Sequence, residues 1–118
     1  GVWGLAFKPD TDDIREAPAI ELIGRLLEKG AVVKAHDPQA MKKAQKVLPG
    51  LTCCASAEEA AKDADALLLC TEWPVFRDFP LQKLKKLLKH PVVLDGRNLY
   101  DPSVMRAAGF DYRSVGRA

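Results

Sequence analysis

Residues 4–18 read GLAFKPDTDDIREAP and join an apolar strand, a polar turn and the start of a helix. The turn carries Lys8 and Arg15, and Pro18 stands where proline is favoured, at the first helical position. Backbone N–H groups at a helix N-terminus lack partners within the helix, and with the helix dipole they attract anions. The stretch therefore predicts a phosphate-collecting turn at the end of a first strand.

Strand-like and helical segments alternate from this stretch to the end of the chain. Such alternation predicts an α/β fold of the Rossmann-like, doubly wound kind. A parallel sheet is the middle of three layers, with helices on both of its faces (αβα). We expect five to six strands in the order 3-2-1-4-5. The predicted strands are residues 2–7, 31–36, 51–53, 66–70 and 92–94, with a last extended piece at 112–115, and the predicted helices are 18–29, 38–47, 57–62, 80–88 and 103–108.

Composition and charge exclude several classes of partner. The chain has 118 residues, 47% of them hydrophobic and 29% charged, which is ordinary for one soluble domain. A net charge of +2 is too small to indicate a nucleic-acid partner. The lysines of residues 83–89 alternate with leucines at helical spacing, which is typical of the solvated side of an amphipathic helix. No apolar run approaches the ~20 residues that span a bilayer, so we expect no membrane partner.

The cysteines predict the redox compartment of the chain, and its first residues predict that it is part of a longer protein. Cys53, Cys54 and Cys70 form neither a disulfide framework nor the paired spacing of a metal site, which predicts no metal and a reducing, cytoplasmic location. The first strand begins at about residue 1, without a preceding Met. This predicts that residues 1–118 are one domain cut from the C-terminal part of a longer chain.

The strand order predicts where a ligand binds. In open parallel sheets the site lies beyond the carboxyl ends of the strands, where the order reverses, here between strands 1 and 4. Phe7 and Lys8 follow strand 1, and Arg97 follows strand 5, about 10 Å away in this order. Side chains from both ends can meet on one charged group, with Lys8 as a point charge and Arg97 as a bidentate donor. A phosphorylated ligand fits this arrangement, and an ordinary surface loop is the alternative.

Three other motifs have competing interpretations. Asp12 and Asp13 are typical of a metal or phosphoacceptor site, but turn formation and helix capping are favoured. Asp37 follows strand 2, as the ribose-binding acid of a dinucleotide fold does, but the first turn lacks G-x-G-x-x-G, so capping before a proline is favoured. We expect Trp73 and Phe76 to pack the loop that carries them rather than to stack on a base.

Five segments together resemble one known family, the nucleotide-sugar dehydrogenases. Their order and sequence are similar to those of the C-terminal, nucleotide-sugar-binding domain of UDP-glucose 6-dehydrogenases, and the resemblance covers essentially the whole chain. The Thr-Glu-Trp sequence at residues 71–73 is more similar to the UDP-glucose branch than to the GDP-mannose branch. The segments are residues 4–9, 11–18, 35–38, 71–76 and 95–100.

The resemblance implies a division of labour in a longer enzyme. Such an enzyme oxidises UDP-glucose to UDP-glucuronate with two NAD, and the domain that resembles this chain binds the UDP-sugar. By similarity, Phe7, Lys8 and Arg97 contact the substrate, and Arg15 reaches the NAD pyrophosphate. The family's nucleophilic cysteine lies upstream of Gly1, so no catalytic residue is expected here and the cysteines of this chain are structural. The resemblance also implies a parent homo-oligomer, with NAD bound mainly by another domain.

Two alternatives stay open at this point. The chain is also compatible with the same domain of a dehydrogenase for another nucleotide sugar, a UDP-N-acetyl-hexosamine or GDP-mannose. A non-catalytic regulatory module of receiver or flavodoxin type, which binds phosphate or a nucleotide, is the other alternative.

Overall fold

The molecule is described by a computed structural model over residues 1–115. Its strands are β1 Val2–Trp3, β2 Lys34–His36, β3 Thr52–Cys53, β4 Leu67–Leu69, β5 Val92–Asp95 and β6 Asp111–Ser114. Its helices are α1 Pro18–Glu28, α2 Met41–Val47, α3 Ala57–Ala61, α4 Pro74–Arg77, α5 Leu81–Leu87 and α6 Pro102–Ala107.

All six strands pair in parallel in one sheet. Their order is β3-β2-β1-β4-β5-β6, so the predicted doubly wound fold and its 3-2-1-4-5 order are confirmed. The last extended piece is the sixth strand and pairs with β5, placing Tyr112 beside Val93. The reversal point lies between β1 and β4, as expected from the sequence.

Helices on the two faces of the sheet build two hydrophobic clusters. On one face α1 and α2 bury Ile23 and Ala44 against the strands at the β3 end. On the other face the remaining helices surround Trp3, whose ring stacks on Phe76 with centroids 5.1 Å apart. Trp73 is also buried, so the packing interpretation of both loop aromatics is confirmed.

The first strand is shorter than predicted. It ends at Trp3 because Gly4 adopts a φ of +101°, which turns the chain out of the ladder. The N–H groups of Leu5 and Ala6 donate instead to Asp37 Oδ2, at 2.7 and 3.2 Å. A side chain beyond β2 therefore continues the pairing that a longer strand would have made.

The start of the second helix also differs from expectation. The second helix begins at Met41 rather than at Pro38, because residues 38–40 form a turn in which Asp37 Oδ1 accepts the N–H of Gln39 and of Ala40.

The loop after β4 contains the four-residue helix α4, which was not predicted from the sequence. Pro74 stands at its first position, the usual place for a helical proline.

One part of the sheet is less covered than its sequence predicts. The apolar run of β4 indicates burial on both faces, yet Leu68 is only half-buried. With Leu22 and Leu94 it lines an apolar groove of about 380 Å³ on the α1 side of the sheet. Over the described part of the chain, no helix is both long and apolar enough to cross a membrane.

Candidate functional site

Arg97 connects the carboxyl ends of three neighbouring strands. Its Nε donates to the Cys70 carbonyl just beyond β4, at 2.9 Å. Its Nη2 donates to the carbonyl of Phe7, which follows β1. The side chain therefore crosses β4 and brings the turn after β5 to the loop after β1, the two ends that the sequence predicts should meet.

The Asp95 carboxylate shapes the turn that carries Arg97. This carboxylate is buried at the end of β5, where Oδ1 accepts the Arg97 N–H at 2.9 Å and Oδ2 accepts the Tyr100 N–H at 3.0 Å. The Tyr112 hydroxyl donates to the same Oδ2 at 2.6 Å. The backbone from which the guanidinium extends is thus fixed on both sides.

The guanidinium keeps donors for a ligand. It has five N–H donors, and the two backbone carbonyls take two, which leaves three. The Arg97 side chain is 28% exposed, so the residue is not closed off from solvent. The Glu72 carboxylate lies 3.8 Å from Nε, too far for a hydrogen bond but close enough to balance part of the charge.

Lys8 extends from the loop after β1 into solvent. The Phe7 N–H donates to the Asp13 carbonyl at 3.2 Å, which ties the start of the loop to its far side. Lys8 Nζ lies 5.4 Å from the centroid of the Phe7 ring. Within residues 1–115 no carboxylate lies within 4.0 Å of Lys8 Nζ, so the Lys8 ammonium group can pair with an anion from outside these residues.

Arg15 pairs within its own loop, and among residues 1–115 its hydrogen bonds go to Asp13 and not to a partner of Arg97. It makes a bidentate pair with Asp13, with Nη2–Oδ2 at 2.7 Å and Nε–Oδ1 at 3.0 Å, and its side chain is 87% exposed. The hydrogen bonds from this guanidinium lower the pKa of Asp13 to about 2, and the pair raises the pKa of Arg15. The loop thus holds the Arg15 guanidinium against Asp13 at the surface.

Removing Arg15 should raise the pKa of Asp13. In Arg15→Ala we expect that pKa to return from about 2 toward its ordinary value of 3.8, as followed by NMR titration of the carboxyl carbon. A depressed pKa gives stability that is present above the unfolded value and lost as pH falls through the folded value. The acid limb of the unfolding curve between about pH 4 and pH 2 should therefore flatten in the variant.

Lys43→Ala is the control for this titration. Lys43 contributes the smallest of the effects that lower the pKa of Asp13, and its Nζ pairs with Asp12 at 3.2 Å. It should shift the Asp13 titration much less than Arg15→Ala does. An equal shift in both variants would show that general positive charge, and not the bidentate pair, holds the pKa down.

The competing interpretations of the acidic motifs are resolved by their contacts. Asp13 accepts the Arg15 N–H at 2.9 Å and donates its own N–H to Thr11 Oγ1 at 3.1 Å, which is turn formation. Asp37 is fully buried and its two oxygens accept four backbone N–H groups, which leaves no oxygen for a ribose. Its Oδ1 caps the turn before α2 and not the predicted helix itself, because that helix begins at Met41 and its N-cap residue is Ala40. Residues 1–115 contain no group of three His, Cys, Asp or Glu side chains placed to hold a metal.

The cysteines lie outside this chemistry. All three are free thiols. Cys70 lies closest to the site, and burial raises the pKa of its thiol to about 11. A thiol with that pKa stays protonated near neutral pH and is a poor nucleophile.

Sequence reasoning missed the residues that hold Arg97 in place. Asp95 stands two residues before Arg97, and that spacing is the signal of an Asx turn. Tyr112 gives no local signal, because it reaches Asp95 across 17 residues through the pairing of β6 with β5.

A family model and curated relatives match almost all of this chain. Residues 1–102 match the model described as the UDP-glucose/GDP-mannose dehydrogenase family, UDP binding domain. UDP-glucose 6-dehydrogenase of Rhizobium meliloti (strain 1021) is 44% identical over 116 residues, 98% of this chain and 26% of that protein. UDP-glucose 6-dehydrogenase TuaD of Bacillus subtilis (strain 168) is 46% identical over 117 residues, 98% of this chain and 25% of that protein. The chain thus spans about a quarter of these relatives.

Solved structures of nucleotide-sugar dehydrogenases have the same fold. A UDP-glucose dehydrogenase from Pyrobaculum islandicum superposes with a TM-score of 0.81 at 36% identity, over 100% of this chain and 25% of that one. An NDP-N-acetyl-D-galactosaminuronic acid dehydrogenase from Methanosarcina mazei Go1 gives a TM-score of 0.84 at 30% identity, over 98% and 24%. The chain belongs to the UDP-glucose/GDP-mannose dehydrogenase family and corresponds to its UDP-binding domain.

Proposed function

We propose that residues 1–118 are the UDP-sugar-binding domain of an NAD-dependent UDP-glucose 6-dehydrogenase. The observation that carries the proposal is the position of Arg97, which links the ends of β1, β4 and β5 and keeps three N–H donors for a ligand. The curated relatives named above support UDP-glucose as the substrate, since both are UDP-glucose 6-dehydrogenases at 44% and 46% identity.

The proposed binding mode follows from the charges at this edge. Arg97 supplies parallel N–H donors to the diphosphate, and Lys8 supplies a mobile point charge from the opposite loop. Phe7 offers an apolar ring beside Lys8. The N-terminus of α1, which begins at Pro18 and has no side-chain cap, follows the same loop, and its helix dipole favours an anion there.

The activity of the parent enzyme requires parts beyond this chain. We infer that it oxidises the C6 alcohol of UDP-glucose to the carboxylate of UDP-glucuronate. NAD, bound mainly by another domain, would accept a hydride in each of two steps. Asp37 has no free oxygen for a ribose, so this chain does not fit a dinucleotide site of the glycine-rich kind. Arg15 fits a secondary contact to the NAD pyrophosphate, because its guanidinium is exposed.

Three further parts of the proposal rest on the sequence alone. We infer that this chain contributes no catalytic residue, that the parent is a homo-oligomer and that it works in the cytoplasm. Assay of the 118-residue chain with UDP-glucose and NAD tests the first of these. We expect no NADH, and NADH formation by the chain alone would show that it carries catalytic groups of its own.

Calorimetric titration with nucleotides tests the binding function directly. We expect the chain to bind UDP more tightly than UMP, and UMP more tightly than uridine, because each phosphate adds contacts to the cations. GDP should bind more weakly than UDP if the substrate is a UDP-sugar. Failure to bind UDP would overturn the proposal, and preference for GDP would favour the GDP-mannose alternative.

Truncating the two substrate-facing cations should weaken UDP binding. Arg97→Ala or Lys8→Ala is expected to cost about 1–3 kcal/mol of binding free energy, the range for a lost charge-assisted contact. Arg25→Ala is the matched control, since Arg25 is an exposed helix arginine paired only with its neighbour Glu21 among the described residues. An unchanged UDP affinity in both site variants would refute the site assignment.

A further inference from the structure

We propose that Tyr112 is a positioning residue of the nucleotide-sugar site and acts through the Asp95 carboxylate on Arg97. The inference rests on the proposed binding function and extends it to a strand beyond the stretch matched by the family model, which ends at residue 102. Tyr112 is buried, and its effect on Arg97 is transmitted by two hydrogen bonds through Asp95.

The first step is the contact of Tyr112 with Asp95. The two side chains are 4% and 1% exposed, and the hydroxyl lies 2.6 Å from Oδ2. The same hydroxyl lies 3.1 Å from the Tyr100 carbonyl oxygen. Both neighbours are acceptors, so the single hydroxyl proton goes to the shorter contact with the carboxylate. At about 2.5–2.7 Å an O–H···O⁻ bond is of the strong, charge-assisted kind.

The second step runs from Asp95 to Arg97. The carboxylate holds the Arg97 N–H through Oδ1 and the Tyr100 N–H through Oδ2, so its rotation would loosen both ends of the turn. The Tyr112 hydroxyl is the side-chain donor that fixes this rotation. Without it the carboxylate is free to turn toward another donor, and the arginine loses its fixed starting point.

Arg97 converts this fixed turn into ligand geometry. Its guanidinium must reach across β4 to the Phe7 carbonyl while leaving its other N–H groups to a ligand. A bidentate donor is useful only when its plane is set, because both N–H groups must meet the diphosphate together. Loss of the Tyr112 hydroxyl should therefore weaken ligand binding while the guanidinium itself is still present.

Tyr100 provides a matched control within the same network. The Tyr100 hydroxyl is also buried but donates to the Phe76 carbonyl, at 2.6 Å, and not to Asp95. Tyr112→Phe and Tyr100→Phe each remove one buried hydroxyl from a retained ring. They should lower the unfolding temperature to similar extents, which separates a loss of stability from a loss of ligand positioning.

Calorimetric UDP titration of these variants is the test. Tyr112→Phe should raise the Kd for UDP roughly five- to tenfold, as expected when a charge-assisted donor loses its geometry, and Tyr100→Phe by less than about twofold. In an Arg97→Ala background, Tyr112→Phe should change the Kd by less than about twofold, because the residue through which it acts is gone.

The outcomes separate this inference from the proposed function. Equal Kd values in the two Tyr→Phe variants, or effects of Tyr112→Phe and Arg97→Ala that simply add, would reduce Tyr112 to a structural role. A wild-type chain that does not bind UDP would overturn the proposed function, and this inference with it. UDP binding by the wild type with an unaffected Tyr112→Phe variant would overturn the inference alone.

A measurement on the wild-type chain covers the case in which Tyr112→Phe does not fold. The chain has two tyrosines, so ¹³Cζ-tyrosine labelling gives two resonances, which Tyr100→Phe assigns. UDP should shift the Tyr112 resonance, which reports its hydroxyl hydrogen bond, more than that of Tyr100. A shift of Tyr100 alone would contradict the proposed linkage.

Discussion

Asp37→Ala should lower the free energy of unfolding by at least about 3 kcal/mol, because it leaves several buried N–H groups without an acceptor. Its carboxylate joins two parts of the fold that the sequence keeps far apart. Oδ2 accepts the N–H groups of Leu5 and Ala6 beyond β1, and Oδ1 accepts those of Gln39 and Ala40 before α2. Chemical denaturation monitored by circular dichroism measures the change.

Asp101→Ala is the matched control for this effect. Asp101 caps α6 and, like Asp37, accepts a backbone N–H, that of Ser103 at 2.8 Å, but it is exposed, so water can replace the lost acceptor. Its replacement should cost about 1 kcal/mol, the usual value of a helix cap. A loss in Asp37→Ala no larger than in Asp101→Ala would show that the four N–H groups find other acceptors, and that the junction of β1 and β2 does not depend on this side chain.

The fold was predictable because its signals are local and repeat along the chain. Alternating apolar strands and amphipathic helices, with right-handed crossovers, were enough to predict the order of the first five strands of the chain. The cap of α3 is equally local, since the Ser56 side-chain oxygen accepts the N–H of Glu59, only three residues away, at 3.1 Å. The end of β1 was not, because Asp37 takes over the pairing of Leu5 and Ala6 from another strand.

The candidate site was predictable in outline only. The strand order places Phe7 and Arg97 at the ends of two strands with only β4 between them, and the structure brings the Arg97 guanidinium to the Phe7 carbonyl. No pattern in the sequence indicates that backbone carbonyls occupy part of this guanidinium, or that Tyr112 fixes the Asp95 carboxylate behind it. These contacts join residues on different strands, and their spacing along the chain follows no local period.

The second large effect is expected at the start of the loop after β1, where Gly4→Ala should lower the free energy of unfolding by about 3 kcal/mol or more. Gly4 has a φ of +101°, which an L-residue with a Cβ adopts only with strain. A Cβ at this position would lie 2.5 Å from Thr71 Cβ and Oγ1 and 2.6 Å from the Thr71 backbone nitrogen. Relief of that overlap requires the ends of β1 and β4 to separate.

Gly30→Ala isolates the part of this cost that comes from the neighbour. Gly30 also has a positive φ, +88°, but a Cβ there would meet nothing within 4 Å, so only the backbone strain of about 1 kcal/mol is expected. The excess loss in Gly4→Ala over Gly30→Ala, measured by urea denaturation, is then the cost of the Thr71 contact. Because the Thr71 hydroxyl donates to the Ala6 carbonyl at 2.6 Å, moving Thr71 also moves the backbone that leads to Phe7. Gly4→Ala should therefore weaken UDP binding as well. Equal losses of stability in Gly4→Ala and Gly30→Ala would show that the ends of β1 and β4 separate to admit the added methyl group at little cost.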